Sequence, residues 1–143
     1  MHRTPFFSVL ALAGFSAATG ASAQQPAAPA AAGAKCTVWE LKTMVGPKDS
    51  VVTTSELAAT PDGKGWTLKL TKGDPIPVRV LVAGGDSMVT EAGPFPSVLR
   101  PGQTVTTLHN VDHIKGATMS GTMEAHYAGG DVLKGKTAGT CKK

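Results

Sequence analysis

Cys36 and Cys141 are the only cysteines of this 143-residue chain, and they bracket nearly everything that follows its N-terminal leader. A disulfide requires Cα atoms less than about 7 Å apart. If the two cysteines are joined, the first and last segments of the domain are therefore neighbours in space. An even cysteine count is typical of a disulfide in an oxidising compartment, and two free thiols or metal ligands are the alternative. Without a CxxC motif, neither redox catalysis nor a zinc knot has the spacing it needs, so we predict a Cys36–Cys141 disulfide.

The N-terminal residues have the pattern of a secretory signal peptide. His2 and Arg3 precede an apolar, small-residue run, and Ala21-Ser22-Ala23 matches a cleavage signature. The run is too short and too rich in glycine to span a bilayer, so no transmembrane segment is predicted in the mature chain. Residues 24–34 contain only alanine, proline, glutamine and glycine, which indicates a disordered tether. The prediction is a signal peptide over 1–23, a tether over 24–34, one domain over 35–143, and a periplasmic or secreted location.

Short alternations of apolar and polar residues run through the domain, separated by turns that contain glycine or proline. No stretch keeps a helical period. The alternation predicts eight strands, at residues 36–45, 50–60, 66–71, 76–83, 87–92, 104–111, 117–127 and 132–141. Evenly spaced strands with short connections are typical of an up-and-down meander. We predict an all-β fold in which eight antiparallel strands close into a small barrel or a flattened two-sheet sandwich, with the disulfide joining the first and last strands.

The hairpin around Gly84-Gly85-Asp86 decides the register of two central strands. A three-residue loop places Arg79 opposite Glu91, whereas a two-residue loop shifts the register and breaks that pair. The alternate residues from Ile76 to Val82 form the more apolar face and are predicted to point inward. Arg79 and Glu91 then form a surface ion pair. On the inside they would suit an anionic ligand, because arginine offers a bidentate fork.

One long loop, residues 93–103, interrupts the meander. It carries Phe95 and Arg100 among several prolines. Residues 93–96 are predicted to lack regular structure, and residues 97–100 to form one helical turn. Together with Arg79 and Glu91, Phe95 and Arg100 are the candidate residues for binding a ligand or a partner.

Other chemistry-bearing residues form no catalytic or metal-binding pattern. His109, His113 and His126 have no H-x-H or HExxH spacing. His113 is predicted to lie in a turn over 112–116, and a register that pairs Val111 with Met119 would turn His126 to the opposite face. The chain also has no G-x-S-x-G motif. We therefore predict no metal, no cofactor and no catalytic residue, and favour a non-enzymatic role.

Charge argues against nucleic acid as a partner. The whole chain has a formal net charge of +4, and without residues 1–23 it keeps 13 basic and 10 acidic residues, or +3. The basic residues are spread singly along the domain. A nucleic-acid interface needs a basic stripe with interleaved aromatic residues, so no nucleic-acid binding is predicted.

Three segments carry a resemblance to known proteins. Residues 74–79 (DPIPVR), 91–100 (EAGPFPSVLR) and 135–140 (GKTAGT) are similar to segments of small secreted bacterial proteins. In architecture the meander resembles that of the lipocalins, although Thr37-Val38-Trp39 has threonine where the lipocalin G-x-W signature has glycine. The resemblance to lipocalins implies ligand binding.

Two functions are compatible with these observations. The first is a monomeric barrel that binds a small apolar or amphipathic ligand, with space left by the small residues Gly121, Ala125, Gly135 and Gly139 on the predicted inner face. The alternative is an envelope protein-interaction module that uses an exposed Phe95 as its anchor. Tight packing at the small residues would contradict the first, and a buried Phe95 the second.

Overall fold

The computed structural model of the protein describes residues 36–142. Within this range the predicted alternation forms strands and no helix, and consequently no helix that is long and apolar enough to cross a membrane. The predicted signal peptide and tether lie outside the described residues. The strands are β1 (Val38–Val45), β2 (Ser50–Ala59), β3 (Trp66–Lys69), β4 (Ile76–Gly84), β5 (Ser87–Ala92), β6 (Phe95–Pro96), β7 (Thr104–Lys115), β8 (Thr118–Tyr127) and β9 (Val132–Cys141).

Eight of these strands close into an antiparallel barrel, as predicted. Each pairs with its neighbour along the chain, β1 pairs with β9, and β5 pairs with β7 across the long loop. The extra strand β6 pairs with β7 alone, through Phe95 opposite Val105. The prediction that residues 93–96 lack regular structure is therefore wrong for Phe95–Pro96. Proline can occupy this strand because β6 lies outside the closed ring and needs few ladder hydrogen bonds.

The disulfide predicted from the cysteine pair is present. Cys36 precedes β1, Cys141 ends β9, and their Cα atoms are 5.8 Å apart. The two strands are also hydrogen-bonded neighbours, with Trp39 opposite Cys141. The bond therefore lies at the end of the barrel where the described residues begin and end, which we call the disulfide end. The opposite end, where the β3–β4 connection and the 93–103 loop lie, is the rim.

A β-bulge, and not the loop length, gives β4 and β5 their register. The turn between them has two residues, because Gly84 lies opposite Ser87. The shorter of the two loop lengths considered is thus present, yet Arg79 still lies opposite Glu91, so the expectation that a two-residue loop breaks this pair is wrong. The bulge at Leu81 inserts one residue into β4 and compensates for the missing loop residue.

The same bulge overturns the inward orientation predicted for Val82. An inserted residue reverses the alternation beyond it, so Val82 is 56% exposed and Leu81 49% exposed. A second register shift, where Thr43 pairs with Thr53 but Met44 pairs with Val51, lies next to the exposed Val51 and Val52. The large apolar residues on the barrel surface are thus concentrated where bulges interrupt the alternation.

The histidine-bearing strand is longer than predicted. β7 extends to Lys115, so Asp112 and His113 belong to a strand and not to a turn. Val111 pairs with Thr122, and Met119 pairs with Ile114, which corrects the predicted register.

The interior is a single apolar cluster built around Trp39 and Met88, both fully buried. Glycines on β8 and β9 admit neighbouring groups into this cluster. A Cβ at Gly135 would lie 2.6 Å from the Met44 carbonyl oxygen, and one at Gly139 would lie 2.7 Å from Leu41 Cδ2. These positions are filled by their neighbours, so the expectation that Gly121, Gly135 and Gly139 leave space for a ligand is wrong.

Candidate functional site

A groove crosses the rim between the β3–β4 connection and the 93–103 loop. Its volume is about 670 Å³, within the range of about 300–1,000 Å³ that is usual for ligand sites. We call it the rim groove. Five prolines contribute to its walls, and the remaining lining is mainly apolar or small. The lining residues are Leu70, Thr71, Lys72, Gly73, Asp74, Pro75, Ile76, Pro77, Pro94, Phe95, Pro96, Ser97, Val98 and Pro101.

The 93–103 loop is held in place by hydrogen bonds that converge on Ser97. The backbone N–H groups of Leu99 and Arg100 donate to Ser97 Oγ at 3.2 and 3.0 Å, and the N–H of Ser97 donates to the Gln103 carbonyl at 2.9 Å. Ser97 Oγ also lies 3.3 Å from the Tyr127 hydroxyl oxygen. A serine side chain thus closes the turn, and the predicted helical turn over 97–100 is absent.

Arg100 fastens the loop to the neighbouring β8–β9 turn. Its Nη1 lies 3.2 Å from Asp131 Oδ2, and its guanidinium lies 4.6 Å from the centre of the Tyr127 ring. Because the ion pair is largely exposed, its Coulombic contribution is at most about 1 kcal/mol, and stacking on the ring adds to it. Arg100 therefore positions the groove wall and is not among the residues that line the groove.

Phe95 faces the barrel interior and is only 8% exposed. It belongs to the apolar core and lines the inner side of the rim groove. The expectation that Phe95 is an exposed anchor for a protein partner is therefore wrong.

Arg79 and Glu91 form an ion pair on the outer surface, with the Arg79 side chain 62% exposed. The exterior interpretation is thus confirmed, and the interior anion site is not formed. An exposed pair of this kind is worth less than about 1 kcal/mol. Of the four predicted site residues, Phe95 alone lines the rim groove; Arg100 supports its loop, and Arg79 and Glu91 lie on a different surface.

Beneath the groove, within the barrel, lies a small and partly open cavity of about 60 Å³, which we call the internal cavity. Leu70, Phe95, Ser97 and Val98 line both spaces and form the wall between them. The cavity has room for about two water molecules, far below the volume of a ligand of lipocalin type. Its lining combines an apolar side with seven residues that carry uncharged polar groups, which are Thr43, Thr53, Ser55, Ser97, Asn110, Tyr127 and Thr137.

A polar row crosses the barrel interior beside this cavity. On β1, Thr43 pairs with Thr53 of β2 on one side and with Thr137 of β9 on the other. On β8, Gly121 pairs with Thr137 of β9 and with Asp112 of β7, so the row ends at Asp112. Asp112 is 2% exposed and accepts a 2.6 Å hydrogen bond from Thr137 Oγ1. Burial raises the pKa of Asp112, and it outweighs the lowering by the Thr137 hydrogen bond and by the charge of His113. A turn was predicted here, so sequence reasoning missed this row.

We expect Asp112→Asn to raise the free energy of unfolding at neutral pH. The folded pKa of Asp112 lies above its ordinary value of 3.8, so the folded state binds this proton more tightly than the unfolded state. The resulting stabilisation is complete below about pH 4 and is lost as the pH rises through the folded pKa. Asparagine keeps the acceptor for Thr137 without the buried charge. Urea unfolding between pH 3 and 8 should show a gain for the variant near neutrality that disappears in acid.

The exposed Asp74 provides the control, because Asp74→Asn removes a carboxylate that is not buried. An Asp112→Asn variant that is less stable than the wild type by the same amount at every pH would contradict a buried, destabilising carboxylate.

The histidines do not converge on a metal site. Within residues 36–142 no group of three or more His, Cys, Asp or Glu side chains is arranged to hold a metal ion. Sequence reasoning also missed a contact on the outer surface, where Ser87 Oγ lies 3.0 Å from His113 Nδ1. Neither residue lines the rim groove or the internal cavity.

Comparison of the chain with protein-family models, with curated proteins and with solved structures gave no significant match.

Proposed function

We propose that this protein is an exported, non-enzymatic barrel that binds a small apolar or amphipathic molecule in the rim groove. The observation that carries the proposal is the groove itself, which has a volume of about 670 Å³ and an apolar, proline-rich wall. A concave, largely apolar site with a few polar groups is the usual form of a small-molecule site. Export is supported by the disulfide, which is typical of oxidising compartments, together with the signal-peptide pattern of residues 1–23.

Binding at the rim replaces binding inside the barrel, which the close packing at Gly121, Gly135 and Gly139 contradicts. The internal cavity of about 60 Å³ is too small for a ligand of ordinary size. The rim groove is open, and its walls are the β3–β4 connection and the 93–103 loop. Both connections are held in place by the barrel strands that they join. The barrel is therefore a scaffold in this proposal, and the loops at one end carry the site.

A bulky residue in the groove tests the proposal. Thr71 is exposed and lines the groove, so an indole at this position should occupy ligand space without disturbing the core. We expect Thr71→Trp to weaken binding of the neutral fluorescent probe 1-anilinonaphthalene by at least about tenfold, equivalent to about 1.4 kcal/mol. Fluorescence titration gives the affinity, and circular dichroism confirms that the fold is retained.

Lys64→Trp is the matched control, because Lys64 lies in the exposed turn between β2 and β3 at the disulfide end. It should bind the probe as the wild type does. Native mass spectrometry of protein taken from the cells that make it should also reveal a bound small molecule. Equal loss of probe binding in both tryptophan variants, or no binding by the wild type at all, would refute the proposal.

A further inference from the structure

The wall of the rim groove is poor in groups that bind anions. Pro75, Pro77, Pro94, Pro96 and Pro101 all line it, and none has a backbone N–H to donate. Anion sites usually rely on successive backbone N–H groups or on arginine forks. The arginines of the described chain, Arg79 and Arg100, do not line the groove, and each has a carboxylate partner elsewhere.

The two charged residues that line the groove have opposite signs. Lys72 and Asp74 are the ionisable residues in its lining, one of each sign, and both are exposed on the β3–β4 connection. The groove thus carries no net formal charge. A charged ligand would leave water for an apolar wall, which is costly, and it would meet a like charge as well as an opposite one. Flat apolar rings match this wall better, because proline presents rigid ring faces.

The space behind the groove has a different character. The cavity beyond the shared wall exposes hydroxyl and amide groups from four strands, including Thr43, Ser55 and Asn110. Among residues 36–142, Trp39 Nε1 is the buried side-chain polar atom that lacks a hydrogen-bond partner. The other polar side-chain groups of the cavity lining are therefore either hydrogen-bonded or accessible to water. At about 60 Å³, that space accommodates the polar end of a ligand in place of about two water molecules.

Building on the proposed function, we infer that the ligand is a neutral amphipathic molecule with an apolar ring and a small uncharged hydrogen-bonding end, such as a hydroxyl or an amide. The ring lies against the prolines of the rim groove. The polar end displaces the Leu70 or Val98 side chain of the shared wall and enters the cavity, where it bonds to the hydroxyl groups. The shared wall limits the size of the polar end that can pass into the cavity. The hydroxyl groups of the cavity favour a ligand whose end can form hydrogen bonds.

Matched pairs of probes test the two parts of this inference. The first pair is 1-anilinonaphthalene and its 8-sulfonate, which differ by one negative charge. We expect the sulfonate to bind at least about tenfold more weakly. The second pair is 4-phenylbutan-1-ol and butylbenzene, which differ in the terminal hydroxyl. One net hydrogen bond should make the alcohol bind about three- to tenfold more tightly, measured by titration with amide chemical shifts.

A substitution inside the cavity separates this preference from general hydrophobicity. Thr43→Val keeps the shape of the side chain and removes its hydroxyl, so the preference for the alcohol should fall while binding of butylbenzene is unchanged. Thr54→Val is the control, because Thr54 is exposed on the same pair of strands and does not line the cavity.

The outcomes distinguish this inference from the proposal on which it rests. If none of the four probes binds, the rim groove is not a ligand site and both fail. If the alcohol and butylbenzene bind equally well, or the sulfonate binds as tightly as the neutral probe, the groove remains a ligand site and the neutral amphipathic class is wrong. A preference for the alcohol that survives Thr43→Val but is lost in Thr54→Val would place the polar end outside the cavity and overturn the inference.

Discussion

Replacing Cys36 and Cys141 together by serine is expected to lower the free energy of unfolding by roughly 4–5 kcal/mol. The two residues are 105 positions apart, so the bond restricts almost the whole unfolded domain. In the chain-entropy account, the stabilisation grows with the logarithm of the loop length and is near its upper range here. The folded barrel should keep its register, because β1 and β9 are also joined by hydrogen bonds from Trp39 to Met44.

Urea unfolding of the oxidised wild type and of the double variant, at one pH and temperature, measures this loss. The wild type with dithiothreitol should match the variant, since reduction removes the same constraint. A loss below about 1 kcal/mol in both cases would show that the unfolded chain is already compact and that the entropy account fails for this protein.

Gly121→Ala is the second substitution with a large expected effect, a loss of about 3 kcal/mol or more. A Cβ at Gly121 would collide with the Val111 carbonyl oxygen and with the Asp112 carboxylate, and it would lie 2.8 Å from the Asp112 Cα. Two of these three contacts are to backbone of the paired strand β7, which cannot move without breaking the β7–β8 ladder. Gly121 thus provides the room that the buried Asp112 occupies.

Gly129→Ala is the matched control. Gly129 lies in the β8–β9 turn, and an added Cβ there would have no atom within 4 Å and no positive φ to strain it. The Gly129→Ala variant should be as stable as the wild type or slightly more stable, because alanine reduces the entropy of the unfolded chain. Thermal unfolding of both variants should therefore give a large fall for Gly121→Ala alone. Equal effects would mean that β7 can shift to accept the methyl group.

Sequence reasoning succeeded where a pattern repeats along the chain. Apolar alternation from Trp39 to Cys141 gave eight of the nine strands, and the cysteine pair indicated which two strands must meet. The pairing of Arg79 with Glu91 was expected for a three-residue loop alone, yet it forms with a two-residue loop. The shorter turn and the bulge at Leu81 shift the register by one residue in opposite directions, so their effects cancel. No local pattern in the sequence distinguishes that combination from a three-residue loop.

The candidate site was only partly accessible to sequence reasoning. The 93–103 loop was chosen as the place to look because its prolines interrupt an otherwise regular meander, and it forms one wall of the rim groove. Its partner across the groove, residues 70–77, was not chosen, because it reads as an ordinary turn. Asp112 was missed for the same reason. Its burial follows from the length of β7 and from Gly121 on the neighbouring strand, and neither is visible from the residues around Asp112 itself.

The amino-acid sequence by itself determined the all-β class, the antiparallel meander and the disulfide, because strand periodicity and cysteine spacing are local or pairwise properties of the chain. The choice between a closed barrel and a two-sheet sandwich came from the tertiary structure. Only the tertiary structure decided which side of each strand faces the interior beyond a bulge, and therefore that Val82 is exposed. It also decided that Phe95 faces inward and that a proline-walled groove forms between two connections distant in sequence. The physical reason is that one inserted residue reverses every side chain after it, and the position of that insertion is set by packing against other strands.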